Sequence, residues 1–207
     1  MTQTQVCLSR PRDILAYQDV LFSNLEEYER LARMISDMLF LAKAEHGLGL
    51  PNLQQVNLHD EVEALFEFYD ALAAEKGMSL NQVGIASIQG DQLMLRRALS
   101  NLISNAIRYG KKDTDIYVVL SQQAGLTSIT LQNEAPTINT EQQLRLFDRF
   151  YRADASRQRT DEGAGLGLAI TKSIIEAHGA SIAVDSQNDI VAFKIKFYKP
   201  TLNKISM

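Results

Sequence analysis

The sequence predicts an α/β sandwich: a mixed sheet with one face covered by helices, led by one long N-terminal helix. Three observations carry this. An apolar repeat of helical period runs through residues 14–45 without a break. Beyond it, helical patterns are segregated from a run of short, mostly antiparallel strand patterns, which gives a sheet with helices on one side. The 207 residues are 45% hydrophobic and 22% charged, the balance of a globular protein with a real core.

The long helix comes first. Leu21, Leu25, Tyr28, Ala32, Ile35, Leu39 and Ala42 recur at alternating four- and three-residue spacing, a heptad seam. Leu31, Met34, Met38 and Leu41 broaden that stripe, which suits a bundle of several helices. The piece before Pro11 reads as the end of another helix, and a second copy of the chain would supply more. The run GLGLP at 47–51 reads as a linker. Asn57 then caps a helix to about Lys76, with Asp60 and Glu61 in its first turn. Leu58, Val62, Leu65, Phe66, Tyr69 and Leu72 form its expected buried face. Strand patterns follow at 78–83 and 85–88. Asp91 caps a helix running to Tyr109. Strands at 115–122 and 126–133 pair around a short turn. A short helix spans 140–150, burying Phe147 and Phe150, and a polar loop covers 153–163. A helix at 166–178 ends at Gly179, strands at 181–186 and 191–198 close the fold, and a frayed tail follows Pro200.

Composition narrows the function. A net charge of −4 gives no reason to expect a nucleic acid or an anionic membrane as partner. The single cysteine, Cys7, forms no internal disulfide and fits a reduced, cytoplasmic compartment. No apolar run approaches the roughly 20 residues needed to span a bilayer, and no signal-peptide core opens the chain. A soluble piece is expected, which leaves room for a membrane-anchored parent.

Three motifs carry chemistry. On the helix at 91–109, Asn101 and Asn105 lie four apart on one face and Arg108 continues the line. Two mid-helix asparagines beside a cation need a reason, because asparagine is a mediocre helix former. A carboxamide oxygen can ligate Mg2+ and an arginine can pair with phosphate. In GAGLGL at 163–168, alternate glycines lead into a helix start, whose free N–H groups suit phosphates. The loop before it, with Arg157 and Arg159, reads as a lid. In LFDRFYR at 146–152, Arg149 and Arg152 are left to face that lid.

In this order and spacing, NLISNAIRY at 101–109 resembles the N box of sensor histidine kinases. LFDRFYR resembles their F box, and GAGLGLAITKSIIEAHG their second glycine box. The resemblance runs from about Val20 to Tyr198, and its texture is most similar to Gram-negative copper/silver, or heavy-metal, sensor kinases. It implies the Bergerat-type, GHKL ATP-binding fold shared with gyrase and MutL, with ATP and Mg2+ as ligands. Asn105 is then expected to bind the Mg2+ that bridges ATP phosphates, with Asn101 close by. Arg108 should contact phosphate, Tyr109 border the nucleotide, and Arg152 reach toward the γ-phosphate. Gly163, Gly165 and Gly167 should shape the phosphate loop, with Leu166 and Leu168 lining the pocket.

Two departures from the family pattern matter. Where its first glycine box carries an aspartate and spaced glycines, this chain has Asn133-Glu-Ala-Pro-Thr137. Asn133 can still accept a hydrogen bond from an adenine amino group, without charge assistance, so modest ATP affinity is expected. Nor does any of the three histidines, His46, His59 and His178, sit in the family's acceptor setting. All three read as structural or solvated, and the acceptor is expected on a helix preceding Met1. The expected organisation is therefore partial dimerisation and phosphotransfer helices with a linker over 1–53, an ATP-binding catalytic domain over 54–200, and a tail over 201–207. In the intact protein the resemblance implies a homodimer, transfer of the γ-phosphoryl group to a histidine, and then to an aspartate of a response regulator. This piece should be unable to phosphorylate itself. A catalytically silent scaffold is the alternative. A GHKL ATP hydrolase is disfavoured, because relatives that hydrolyse place a glutamate base where Asn101 stands.

Overall fold

Alternation decides the sheet. In β4 (Asp115–Gln123) Ile116, Val118 and Leu120 are buried, and in β5 (Leu126–Glu134) Thr127, Ile129, Leu131 and Asn133 are. Their neighbours along each strand are more exposed, so one face packs on a core and the other meets water. The computed structural model describes residues 3–11, 13–153 and 164–198. The expectations for the lid at 154–163, Gly163 included, and for the tail lie outside the described residues.

Two compact units divide the chain, residues 1–40 and 41–207. The first holds α1 (Gln3–Leu8) and most of α2 (Ile14–Glu45), the long helix with its predicted bounds. Asp13 caps α2 by accepting from the Ala16 amide at 2.8 Å. Thr4 Oγ1 donates to Asn24 Oδ1 at 3.2 Å and ties the two helices. The seam residues Leu21, Leu25, Tyr28, Ile35 and Leu39 are exposed in the single chain.

The second unit is the sandwich. β1 (Leu53–Asn57), α3 (Leu58–Ala74), β2 (Ser79–Val83), β3 (Ser87–Asp91) and α4 (Gln92–Tyr109) precede β4 and β5. After β5 come α5 (Thr140–Arg145), α6 (Gly167–Ala177), β6 (Ala180–Gln187) and β7 (Ile190–Tyr198). The five-stranded sheet has the order β2-β4-β5-β7-β6, and only its β2–β4 pairing is parallel. β1 and β3 form a separate antiparallel ribbon. α3, α4 and α6 pack on the sheet, and α4 runs through the centre of the core. Its Leu95, Ala98, Leu99, Leu102, Ile103 and Ala106 are all buried, as predicted.

Caps fix the helix starts. Asn57 Oδ1 accepts from the His59 amide at 3.1 Å, and Asp91 Oδ1 from the Met94 amide at 3.2 Å. Asn139 and Gln142 form a capping box at α5. α3 and α4 are bolted together by Glu61, whose buried carboxylate takes Arg96 Nε at 2.7 Å and Arg96 NH2 at 3.1 Å, with Gln92 as a further donor. Burial pushes the Glu61 pKa up, but the hydrogen bonds from Arg96 and Gln92 and the Arg96 charge outweigh it, so the carboxyl lies below its ordinary range.

The structure corrects three expectations and adds one strand. Leu72 is 45% exposed, since the buried stripe of α3 runs through Glu61 and Ala73 instead. The strand expected at 85–88 begins at Ser87, with Ile85 exposed in the turn before it, and continues to Asp91. Residues 53–57, to which the sequence assigned no element before the Asn57 cap, form β1. The helix expected over 140–150 stops at Arg145, and Phe150 is 56% exposed with φ 62° rather than buried. Phe147 is half-buried and meets the Phe193 ring edge-on at 6.3 Å between centroids.

Candidate functional site

A polar line along α4 organises the site. At its middle, the Asn101 side chain reaches the first turn of α6. Nδ2 donates to the Gly167 carbonyl at 3.0 Å and lies 3.4 Å from Thr171 Oγ1. One turn further on, Asn105 is half-buried and its side chain hydrogen-bonds to no described residue. Arg108 and Tyr109 are exposed at the helix end. Lys76 holds that end by donating to the carbonyls of Ile107 at 2.7 Å and Arg108 at 2.9 Å, a cation placed on a helix C-terminus.

Asn133 approaches the same helix end from β5. It is 5% exposed, and its Nδ2 donates to the Glu134 carbonyl at 3.1 Å, which also accepts from the Lys111 amide at 2.8 Å. Its carboxamide oxygen takes no hydrogen bond from a described residue. Gly110 is needed between them, because a Cβ there would sit 3.1 Å from Asn133 Nδ2 and closer still to Ala106 O and Met78 Cε. Thr137 goes elsewhere. Its hydroxyl donates to Asp189 Oδ1 at 3.1 Å and accepts from the Asp189 amide at 3.1 Å, on the β6–β7 turn.

The glycine segment meets both neighbours. The Phe150 amide donates to the Gly165 carbonyl at 3.0 Å, so residues 146–152 and the start of α6 are joined. Gly165 has φ 72°, and a Cβ on it would lie 3.0–3.1 Å from the Phe150 backbone and the Tyr151 carbonyl. Only glycine takes that conformation cheaply at such an approach. Gly167 opens α6 against Asn101, Leu166 is buried in the core, and Leu168 is half-buried.

Arginines line a hollow of about 520 Å3 formed by Arg145, Asp148, Arg149, Phe150, Tyr151 and Arg152. Arg145 lies over the Tyr151 ring at 4.5 Å, and Arg149 pairs with Glu45 at 2.6 Å. Among the described residues no cluster of three or more His, Cys, Asp or Glu could hold a metal. A cation here would depend on a carboxamide and on the ligand's own oxygens. Free carboxamide oxygens on Asn101, Asn105 and Asn133 suit a phosphate-borne Mg2+ and an amino-bearing base.

Of the residues singled out in the sequence, Asn101, Asn105, Arg108, Tyr109 and Asn133 are gathered on or against α4. Gly165, Gly167, Leu166 and Leu168 are on its α6 side, Arg152 is on the adjoining hollow, and Thr137 is apart. Two contributors had no motif. Thr171 is a polar residue on the buried face of an apolar helix, a signal that period alone could have flagged. Lys76 acts on a helix end 31 residues away, which no local pattern reveals.

Residues 90–200 match the family model for histidine kinase-, DNA gyrase B- and HSP90-like ATPases. The chain is 49% identical over 187 residues to the sensor histidine kinase CusS of Escherichia coli K12, covering 90% of this chain and 39% of that protein. It thus spans about two fifths of such relatives. The Acinetobacter baumannii histidine kinase AdeS superposes with a TM-score of 0.78 at 22% identity, covering 96% of this chain and 92% of that one. Full-length ShkA in complex with AMPPNP superposes at 0.77 with 20% identity, over 93% of this chain and 42% of that one.

Proposed function

Because the chain belongs to the histidine kinase-, DNA gyrase B- and HSP90-like ATPase family, and there to the sensor histidine kinases, we propose that it is a catalytic region whose α4–α6 cleft binds ATP with Mg2+. The observation that carries this is the 3.0 Å bond from Asn101 to Gly167, which sets the two motif helices side by side. Asn105 is the protein's ligand for Mg2+, and Asn101 stands beside the phosphates. Arg108 and Arg152 neutralise phosphate charge, and Tyr109 borders the nucleotide. Gly163, Gly165 and Gly167 shape the phosphate loop, with Leu166 and Leu168 beside it. Asn133 accepts from the adenine amino group, and Thr137 shapes the neighbouring turn. When bound, Mg2+ supplies charge neutralisation of the polyphosphate; the protein supplies position.

In the whole protein the γ-phosphoryl group passes to a histidine and then to an aspartate of a response regulator, within a homodimer anchored at the inner membrane, in a pathway answering copper or silver. Among the described residues no helix is long and apolar enough to cross a membrane. None of the chain's own histidines takes the phosphoryl group. His178 is used at both nitrogens: one contacts the Ile174 carbonyl at 2.8 Å, the other accepts from the Asp91 amide at 3.0 Å. His59 Nδ1 lies against Gln82 and the Gly84 carbonyl. Incubation with γ-labelled ATP and Mg2+ tests both halves. The expected result is nucleotide retained on the protein with no covalent label. An acid-labile phosphate on His46, His59 or His178 overturns the second half, and no retained nucleotide favours a silent scaffold.

A further inference from the structure

We infer that Thr171 is a positioning residue that fixes the carboxamide of Asn101, and through it the face that α4 offers to the nucleotide phosphates. The inference rests on the proposed ATP site. Thr171 is fully buried on α6, where an apolar side chain would pack as well. Its hydroxyl proton has two backbone acceptors, Gly167 O at 2.9 Å and Ala98 O at 3.5 Å. The oxygen's lone pair faces Asn101 Nδ2 at 3.4 Å. Gly167 O accepts from Asn101 as well, at 3.0 Å. The Gly167 carbonyl can only accept, so it requires the NH2 group of Asn101, and the Thr171 oxygen gives that group a second acceptor. A flipped amide would set its oxygen against the Gly167 carbonyl. Oδ1 accepts no hydrogen bond from a described residue.

Gly167 and Thr171 together therefore fix which end of the Asn101 carboxamide is bonded to α6. The hydroxyl bridges three segments: the Ala98 turn, Asn101 and the opening turn of α6. Valine would keep the shape and leave one Asn101 amide proton against a methyl group, buried and unpaired. Serine would keep the hydroxyl.

The test uses the full chain with a non-hydrolysable ATP analogue and Mg2+, together with NMR of the Asn101 side-chain amide. Thr171→Val is expected to weaken analogue binding about three- to tenfold, with Thr171→Ser within about twofold of the parent on the same scale. In an Asn101→Ala background, Thr171→Val should add less than about twofold, because the pathway runs through Asn101. The Asn101 amide protons should exchange slowly in the parent and in Thr171→Ser, and quickly in Thr171→Val. Unchanged analogue binding and amide exchange in Thr171→Val overturn the inference. So does an equal loss in the Asn101→Ala background. If the parent binds no nucleotide, the ATP reading fails, and the amide exchange still decides whether Thr171 holds Asn101.

Discussion

Asparagine side chains at this site differ by what already holds them. Asn101 spends its NH2 group on α6, Asn133 spends its own on Glu134 O, and Asn105 is bonded to no described residue. Asn105 is thus the residue whose loss should be felt in binding with least effect on the fold. Asn105→Ala should change the denaturation midpoint little. Glu61 is the opposite case. Glu61→Ala removes an acceptor for Arg96 and Gln92 and should cost about 2–3 kcal/mol in urea unfolding; the exposure of Arg96 keeps it at the low end for a buried pair. Its pKa lies below the ordinary 4.5. The ionised carboxylate therefore contributes fully above that value and loses its contribution as pH falls through the lowered folded pKa. Stability against urea, followed from pH 6 downward, should fall through that window, and Glu61→Gln should flatten the fall.

At the scale of elements, α4 and the glycine segment decide the site. Leu102→Ala, at the centre of α4, should destabilise by about 2–5 kcal/mol, because a fully buried leucine leaves a cavity. Gly165→Ala puts a Cβ on a backbone of φ 72° beside the Phe150 main chain and should cost about 1–2 kcal/mol, read as a lower melting temperature. These elements were readable because their signals are local. α4 has a cap, a periodic apolar face and a polar line on the other side, and its bounds came out of the sequence almost unchanged. β1 was not readable. Only Val56 of its five residues is buried, and it is a strand because Leu53 pairs with Asp91, far along the chain. The position of Phe150 beyond α5 likewise involves a partner outside the local pattern, since its amide bonds to Gly165. Thr137 follows the β6–β7 turn for the same reason: Asp189 is 52 residues away.

At the scale of the whole molecule, the chain joins a helical unit with a wet apolar seam to a sandwich that buries its own core. Exposed leucines at helical spacing are costly in water and are relieved by partner helices. We expect concentration-dependent self-association in sedimentation experiments, weakened by Leu25→Glu on the seam, with the nucleotide affinity of the sandwich unchanged. The sandwich itself stands on the claim that a carboxamide of α4 and the glycine-led start of α6 hold a magnesium-borne triphosphate. Calorimetric titration of the chain and of Asn105→Ala with a non-hydrolysable ATP analogue, each with and without Mg2+, tests it most directly. Saturable binding that Mg2+ strengthens in the parent, weakened about tenfold or more with its Mg2+ dependence lost in Asn105→Ala, is the expected result. Equal affinity in the two proteins, or no heat from either at high micromolar concentration, would contradict it.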